Sequence, residues 1–275
     1  MTETRRFAIA GVAGRMGRQL ARAVLEAGHD ITGGTEVPES PHRESDIARL
    51  AGLGHTLGEK PVTDPVEAAT QAQVWVDFTA PAATLAALEA LKHTSVQAVV
   101  IGTTGFSAQE EAQITAVAEH FAIVRAGNFS LGVNLLTALT RIVAARLGSD
   151  WDIEVLETHH RHKADAPSGT ALMLGEAAAQ GRAGTLETLR REPYEGREAR
   201  RGEGKIGFAV RRAGGIVGEH EVLFGSQSET VRLGHSALDR RVFAEGAVAA
   251  ALWACAQPPG LYDMEDMLGL KGLGV

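Results

Sequence analysis

The sequence predicts an α/β fold in two parts: a doubly wound parallel sheet first, then an α+β part with a mixed or antiparallel sheet. Three observations predict it. Short apolar runs alternate with Ala-rich stretches of helical spacing up to about residue 125, the β-α-β-α rhythm that builds parallel sheets. Those runs are continuously apolar, as strands covered on both faces are. Beyond residue 129 the rhythm gives way to period-2 stretches broken by Gly turns, the pattern of adjacent strands joined by short connections.

The elements follow in order. Phe7–Ala10 reads as a buried strand, Met16–Ala27 as a helix ending at Gly28, and Asp30-Ile-Thr32 as the start of a second strand. Val74–Phe78 is a strand, Pro81–Leu91 a helix, Val96–Ile101 a strand, Ala108–His120 a helix and Ala122–Val124 a strand. A long helix is expected over Gly132–Leu147, and Ile153, Val155 and Glu157 then alternate with Glu154 and Leu156. After a helix at Thr170–Gln180, period-2 stretches occupy Lys205–Arg211, Ile216–Phe224 and Glu229–Leu233. The Arg-, Glu- and Gly-rich residues 190–204 read as a solvated loop. No repeat or low-complexity tract interrupts the chain.

Composition narrows the function. The 275 residues carry a formal net charge of −7, which argues against a nucleic-acid partner, since phosphate binding needs clustered Lys and Arg in excess. The single cysteine, Cys255, excludes a disulfide framework and a Cys-based zinc site. It sits in the Ala-rich run 247–256, which reads as helix core without the cationic surroundings a nucleophilic thiolate needs. No apolar stretch approaches a membrane span and the first strand is too short for a signal-peptide core, so no membrane partner and a cytoplasmic location are expected.

The loop Gly11-Val12-Ala13-Gly14-Arg15-Met16-Gly17 joins the first strand to the first helix. Gly11 suits a tight turn, Gly14 a close approach of backbone to a pyrophosphate, and Gly17 close packing of the helix. The pyrophosphate would lie on the helix N-terminus, where free N–H groups and the dipole favour anions. The spacing is G-x-x-G-x-x-G rather than the commoner G-x-G-x-x-G. Glu36 falls at the end of the second strand, where an acid hydrogen-bonds ribose hydroxyls. These features make the first part Rossmann-like. Val37 follows Glu36 with no adjacent cation, so NADH is favoured over NADPH, although Arg15 or Arg43 remains available to a 2′-phosphate. Phe78-Thr79 and Gly102-Thr103-Thr104 each follow a buried strand; both turns should border the cofactor, because ligands of such sheets bind at the carboxyl ends of strands.

The most informative stretch is Glu157-Thr-His159-His160-Arg161-His162-Lys163-Ala-Asp165-Ala-Pro167-Ser168-Gly169-Thr170. Five consecutive cationic or imidazole side chains in an acidic protein point to a bound anion. Ser168 is a candidate N-cap of the helix that follows, and the amides of Gly169 and Thr170 are candidate carboxylate donors. Such a site suits a small dicarboxylate. Reducing a C=N or conjugated C=C bond needs a proton as well as a hydride, and His or Lys can supply it. Crowding by cations is expected to loosen the proton on Lys163 before substrate arrives. Three other readings stand beside this one. The histidines could hold a metal, which Arg161 and Lys163 would repel. The segment could be a solvated basic loop. Ser168 could be a nucleophile, but it lacks the G-x-S-x-G elbow.

These residues in this order resemble the 4-hydroxy-tetrahydrodipicolinate (dihydrodipicolinate) reductase family of the diaminopimelate and lysine pathway. The likeness spans nearly the whole chain, through Ala10-Gly11-x-x-Gly14-Arg15-Met16-Gly17, Asp77-Phe78-Thr79, Ile101–Gly105, Asn128-Phe129-Ser130, Gly132-Val133-Asn134 and above all the 157–170 segment. Ile206-Gly207-Phe208, Arg212-Ala213-Gly214, Ile216–His220 and Gly260–Met264 extend it. The resemblance implies a dinucleotide-binding domain over 1–128, completed by 240–275, and a substrate-binding domain over 129–239 whose sheet assembles a homotetramer. It implies cofactor contacts from Gly11, Val12, Ala13, Gly14, Arg15, Met16, Glu36, Gly102, Thr103, Thr104, Ala126, Gly127, Asn128 and Phe129, beside Phe78 and Thr79 of the strand-end turn. It implies His159 as acid/base and Lys163 as proton donor. His160, Lys163, Ser168, Gly169 and Thr170 are then the substrate-binding set. Val37 departs from members that use NADPH readily, which tend to have a basic residue there. Another dehydrogenase of a small anion on the same scaffold, or a non-catalytic dinucleotide sensor, remains open on fold alone.

Overall fold

The first 130 residues supply five short strands, and each is buried from both sides. The computed structural model describes residues 3–193, 195, 197 and 199–272. In chain order the elements are β1 (Arg6–Ile9), α1 (Arg15–Glu26), β2 (Asp30–Gly34), α2 (Ile47–Leu50), α3 (Pro65–Ala68), β3 (Val74–Asp77), α4 (Pro81–Leu91), β4 (Ala98–Ile101), α5 (Ala108–Val117) and β5 (Ala122–Arg125). They continue as α6 (Leu131–Arg146), β6 (Asp152–His159), α7 (Gly169–Gly181), α8 (Leu186–Leu189), β7 (Ile206–Arg212), β8 (Gly218–Gly225), β9 (Thr230–Ala237), α9 (Arg241–Ala254), β10 (Gly260–Tyr262) and α10 (Met264–Met267). No described helix is long and apolar enough to cross a membrane.

The chain forms two compact units, one from 1–130 with 241–267, the other from 131–240 with 268–275. The first unit holds a six-stranded parallel sheet in the order β10-β5-β4-β3-β1-β2. Strand order reverses beside β1, the switch point at which doubly wound sheets bind ligands. Phe7 and Ile9 point into one apolar layer with Leu20, Val24, Ala247 and Ala251, while Ala8 points into another with Trp75, Leu88 and Ile114. Period-2 side chains that are buried on both faces explain why these strands read as unbroken apolar runs.

Helix ends follow local chemistry. Ser107 and Glu110 form a reciprocal capping box on α5, and Asp46 and Asp64 cap the one-turn helices α2 and α3. These short helices, α8, α10 and the three-residue β10 have no readable periodicity in the sequence. Cys255 packs against the apolar layer of the first unit, and burial raises its thiol pKa.

The second unit holds a four-stranded sheet in the order β7-β6-β8-β9, with β6 parallel to β7 and antiparallel to β8. Ile153, Val155, Val222 and Phe224 fill its inner face against α6 and α7, with Leu136, Ala171 and Leu174. Moving along the strands, this row turns polar: Glu157 stands opposite His220, and His220 opposite His235. Strand β8 begins at Gly218, two residues later than the alternation from Ile216 suggests. The segment 190–204 is not simply solvated. Arg201 folds back on β6, pairing with Asp152 at 2.7 Å and with Glu154, and donating to the Ile153 carbonyl at 2.9 Å. Tyr194, Gly196 and Glu198 of that segment lie outside the described residues.

Candidate active site

The β1–α1 loop of the first unit is shaped by its glycines. Gly11 has φ +57°, and a Cβ on Gly17 would lie 2.2 Å from the Gly11 carbonyl oxygen, so α1 can seat on the loop only without a side chain there. Gly14 is the N-cap of α1 and contributes no capping side chain, and the first turn carries no acid. Val12 and Ala13 turn their side chains inward, leaving backbone as what the loop offers. Glu36 Oε1 accepts the Ala13 amide at 2.8 Å, which puts the acid at the rim of the loop. Arg18 donates to the Ala13 carbonyl at 2.7 Å and lies 3.0 Å from His42 Nε2. An uncapped helix start, a side-chain-free cradle and an acid at its rim fit an anionic dinucleotide with a ribose diol.

The two neighbouring turns are tied together. Asp77, buried at the end of β3, accepts the Thr79 amide at 3.0 Å and hydroxyl at 2.6 Å, and Thr103 Oγ1 takes the same Thr79 amide at 3.0 Å. Thr103 Oγ1 also lies 2.9 Å from Thr84 Oγ1. Thr103 is therefore a buried brace, with Thr104 exposed beside it. Phe78 meets Phe129 at a tilt, ring centroids 5.3 Å apart, and fills the space a Cβ on Gly102 would need. The Phe129 ring is core, so only its backbone remains to face a ligand. Ala126, Gly127 and Asn128 follow β5, and Asn128 Oδ1 caps the Ser130 amide at 2.8 Å.

In the second unit β6 carries Glu157 and His159 on its inner face, 1 % and 8 % exposed. Glu157 accepts four hydrogen bonds: Arg212 on both oxygens at 2.7 and 2.9 Å, the Ser168 amide at 3.0 Å, and His159 Nδ1 at 2.5 Å. Burial works to raise its pKa, but Arg212, His159 and Ser168 together bring it below the ordinary carboxylate value. His159 meets His220 edge to face at 5.1 Å. Burial, and then the neighbouring His159, lower the His220 pKa to about 4, so this second ring is neutral at pH 7.

Past His159 the chain turns, with the Lys163 amide on the His160 carbonyl at 3.1 Å. His160 Nε2 lies 3.1 Å from Arg240 Nη2. Desolvation, then Arg240, His159, His162 and Lys163, lower the His160 pKa. Cationic crowding is felt at His160. Lys163 itself holds both oxygens of Asp165, at 2.8 and 2.9 Å, so its ammonium does not face cations alone. Asp165 is correspondingly held below the usual carboxylate range.

Ser168 is the N-cap of α7, accepting the Ala171 amide at 3.1 Å. This candidate substrate contact has its amide on Glu157, and its hydroxyl lies 3.1 Å from His220 Nε2. Gly169 begins the helix in open space, with nothing within 4 Å of its Cβ position, and Thr170 follows. No group of metal-ligating side chains exists among the described residues, and His159 is engaged with a carboxylate. Sequence reasoning missed Arg212, His220 and Arg240. Arg212 and His220 come to Glu157 and Ser168 across the sheet from 55 and 52 residues away, and Arg240 reaches His160 across 80. Only strand register reveals the first two. Asp165 was missed as well, although it lies two residues from its partner.

Comparison with known proteins agrees with this geometry. The family model "Dihydrodipicolinate reductase, N-terminus" matches residues 5–129, and "Dihydrodipicolinate reductase, C-terminus" matches 132–268. The chain belongs to the dihydrodipicolinate reductase family. Among relatives named 4-hydroxy-tetrahydrodipicolinate reductase, the one from Sinorhizobium fredii is 50% identical over 280 residues, covering 98% of this chain and 100% of its own. The one from Parvibaculum lavamentivorans is 47% identical over 272 residues, with the same coverage. A dipicolinate-bound dihydrodipicolinate reductase from Paenisporosarcina sp. TG-14 shares the fold at TM-score 0.74 and 23% identity, over 95% of this chain and 98% of its own. An amine dehydrogenase from Mycobacterium smegmatis shares it at TM-score 0.66 and 16% identity, over 96% of both chains.

Proposed function

We propose that this chain reduces the cyclic imine dicarboxylate 4-hydroxy-tetrahydrodipicolinate to tetrahydrodipicolinate with NAD(P)H, in lysine and diaminopimelate biosynthesis. The observation that carries the reading is the cluster of His159, His160, Lys163 and Arg240 beside the open N-terminus of α7. Cationic side chains and helix amides together suit two carboxylates, and an imidazole and an ammonium suit a proton transfer.

When bound, the dinucleotide supplies the hydride. The loop Gly11–Met16 would hold its pyrophosphate by backbone amides, and Glu36 the adenosine ribose. Phe78-Thr79, Gly102-Thr103-Thr104 and Ala126–Phe129 would border it, with Thr103 and the Phe129 ring acting as braces. His160, Lys163, Gly169 and Thr170 hold the substrate carboxylates, while Ser168 supports the helix end. Lys163 leaves Asp165 for the substrate and donates the proton; His159 acts as acid/base. A carboxylate arriving at His160 would counter the neighbouring cations that, after desolvation, lower its pKa. Binding energy thus fixes the imine relative to its proton donor, which is where such sites gain rate.

NADH is the better cofactor in this proposal. The Glu36 carboxylate repels a 2′-phosphate, and Val37, which is 62% exposed, offers no charge to offset it. A homotetramer is part of the same reading. It is supported by the outer face of the second sheet, where Arg211, Glu219, Arg232, Gly234 and Ser236 are exposed. Sedimentation would test the assembly. Michaelis series with freshly generated imine and each cofactor test the reaction: turnover with a lower KM for NADH is expected. Tight NADH binding without consumption would instead indicate a sensor.

A further inference from the structure

A buried anion is the least expected neighbour in a site built to receive anions. Glu157 nevertheless sits two residues before His159 on the same strand face, with four donors converging on its two oxygens. A carboxylate so held is acceptor-only. At 2.5 Å from such an oxygen, His159 Nδ1 must carry the hydrogen. Nε2 is then the nitrogen left to exchange protons. Its side of the ring is kept open by Gly218, where a Cβ would lie 3.0 Å from Nε2. On the ring's edge stands His220, fixed in turn by Ser168.

We propose that Glu157 is the positioning residue for His159: it selects the Nδ1–H tautomer and, through the Ser168 amide, locks that ring to the N-terminus of α7. Arg212 is the clamp of this arrangement. Its guanidinium spans Glu157 bidentately and donates at 2.6 Å to the Asp165 carbonyl, in the turn that carries Lys163. One carboxylate thereby registers the acid/base ring, the ammonium-bearing turn and the carboxylate-binding helix end against each other. An ordinary structural ion pair between Glu157 and Arg212 would add stability and leave the His159 tautomer indifferent to it. The catalytic consequence rests on the reductase reading; the tautomer does not.

The test is Glu157→Gln in the full chain. Two N–H donors meet at each oxygen, Ser168 and Arg212 at Oε1 and His159 and Arg212 at Oε2; of the four only the His159 ring can give up its hydrogen there, so the glutamine oxygen takes the Oε1 place. Its NH2 then faces Nδ1 and forces the hydrogen to Nε2. Proton–nitrogen correlation spectra of histidine-labelled protein, without substrate and at a pH where the ring is neutral, read the tautomer directly. The His159 signal is assigned by its loss in His159→Gln. We expect Nδ1–H in the native chain and Nε2–H in the variant, with kcat lower by roughly 10²-fold or more and KM changed only a few-fold. A native ring in the Nε2–H form overturns the proposal, and so does a folded variant that keeps tautomer and rate. If the variant does not fold, the native spectrum alone decides. If the native protein does not turn over the imine, the reductase reading fails while the tautomer result stands.

Discussion

Lys163 and Asp165 show what a single pair contributes. Asp165 is 60% exposed, and pairs with so much solvent around them add little stability, about 0–1 kcal/mol. Lys163→Ala should therefore leave the fold intact. We predict that it lowers kcat by roughly 10²-fold or more with NADH affinity unchanged, measured by steady-state rates and a fluorescence titration; near-native turnover would remove Lys163 from the mechanism. His220 carries the opposite lesson, since it is buried and unusually reluctant to charge. Its pKa is about 4 when folded and about 6.5 when unfolded. The unfolded chain binds the extra proton between these values. The stability from this ring is thus complete above about pH 6.5 and lost as pH falls towards 4, up to about 3 kcal/mol. Thermal melts should show the melting temperature falling through that window, and His220→Gln should flatten the slope. A slope unchanged in the variant would assign the acid sensitivity elsewhere. Glu157, held below the ordinary carboxylate value, loses its own contribution at still lower pH.

At the scale of elements, the contact between α1 and its loop is a tight backbone constraint on the proposed cofactor site. A Cβ at Gly17 would meet backbone at 2.2 Å on Gly11 and 2.7 Å on Val12, and neither can rotate away. Gly17→Ala should push α1 off the loop, costing about 1–3 kcal/mol of stability. It should also weaken NADH binding about tenfold or more, because amides that have moved off the pyrophosphate lose strength steeply with distance and angle. A titration matching the native affinity would show that the helix start does not hold the cofactor. This glycine was legible in the sequence, as were β1, α1, β3, α4 and the Ser168 cap, because local spacing and caps act within a few residues. β10 was not: Gly260–Tyr262 is three residues long and is a strand only because β5 is beside it. The Glu157–Arg212–His220 arrangement was hidden for the same reason. Its members share no local pattern, and the register of β6 with β7 and β8 alone brings them together.

For the whole molecule, the two units carry different sets of groups. The first presents a glycine loop and an acid at its rim; the second presents a cationic turn, a helix end and an imidazole held by a buried carboxylate. The composition hinted at this division, since an acidic chain that concentrates five imidazole or cationic groups in succession has a local use for them. The most direct measurement is product formation. Protein, NADH and freshly generated imine are mixed, and both NADH loss and tetrahydrodipicolinate are followed, the latter by mass spectrometry. One product molecule is expected for each NADH oxidised, at a rate proportional to enzyme. NADH that binds without being consumed, or imine that persists unreduced, would contradict it.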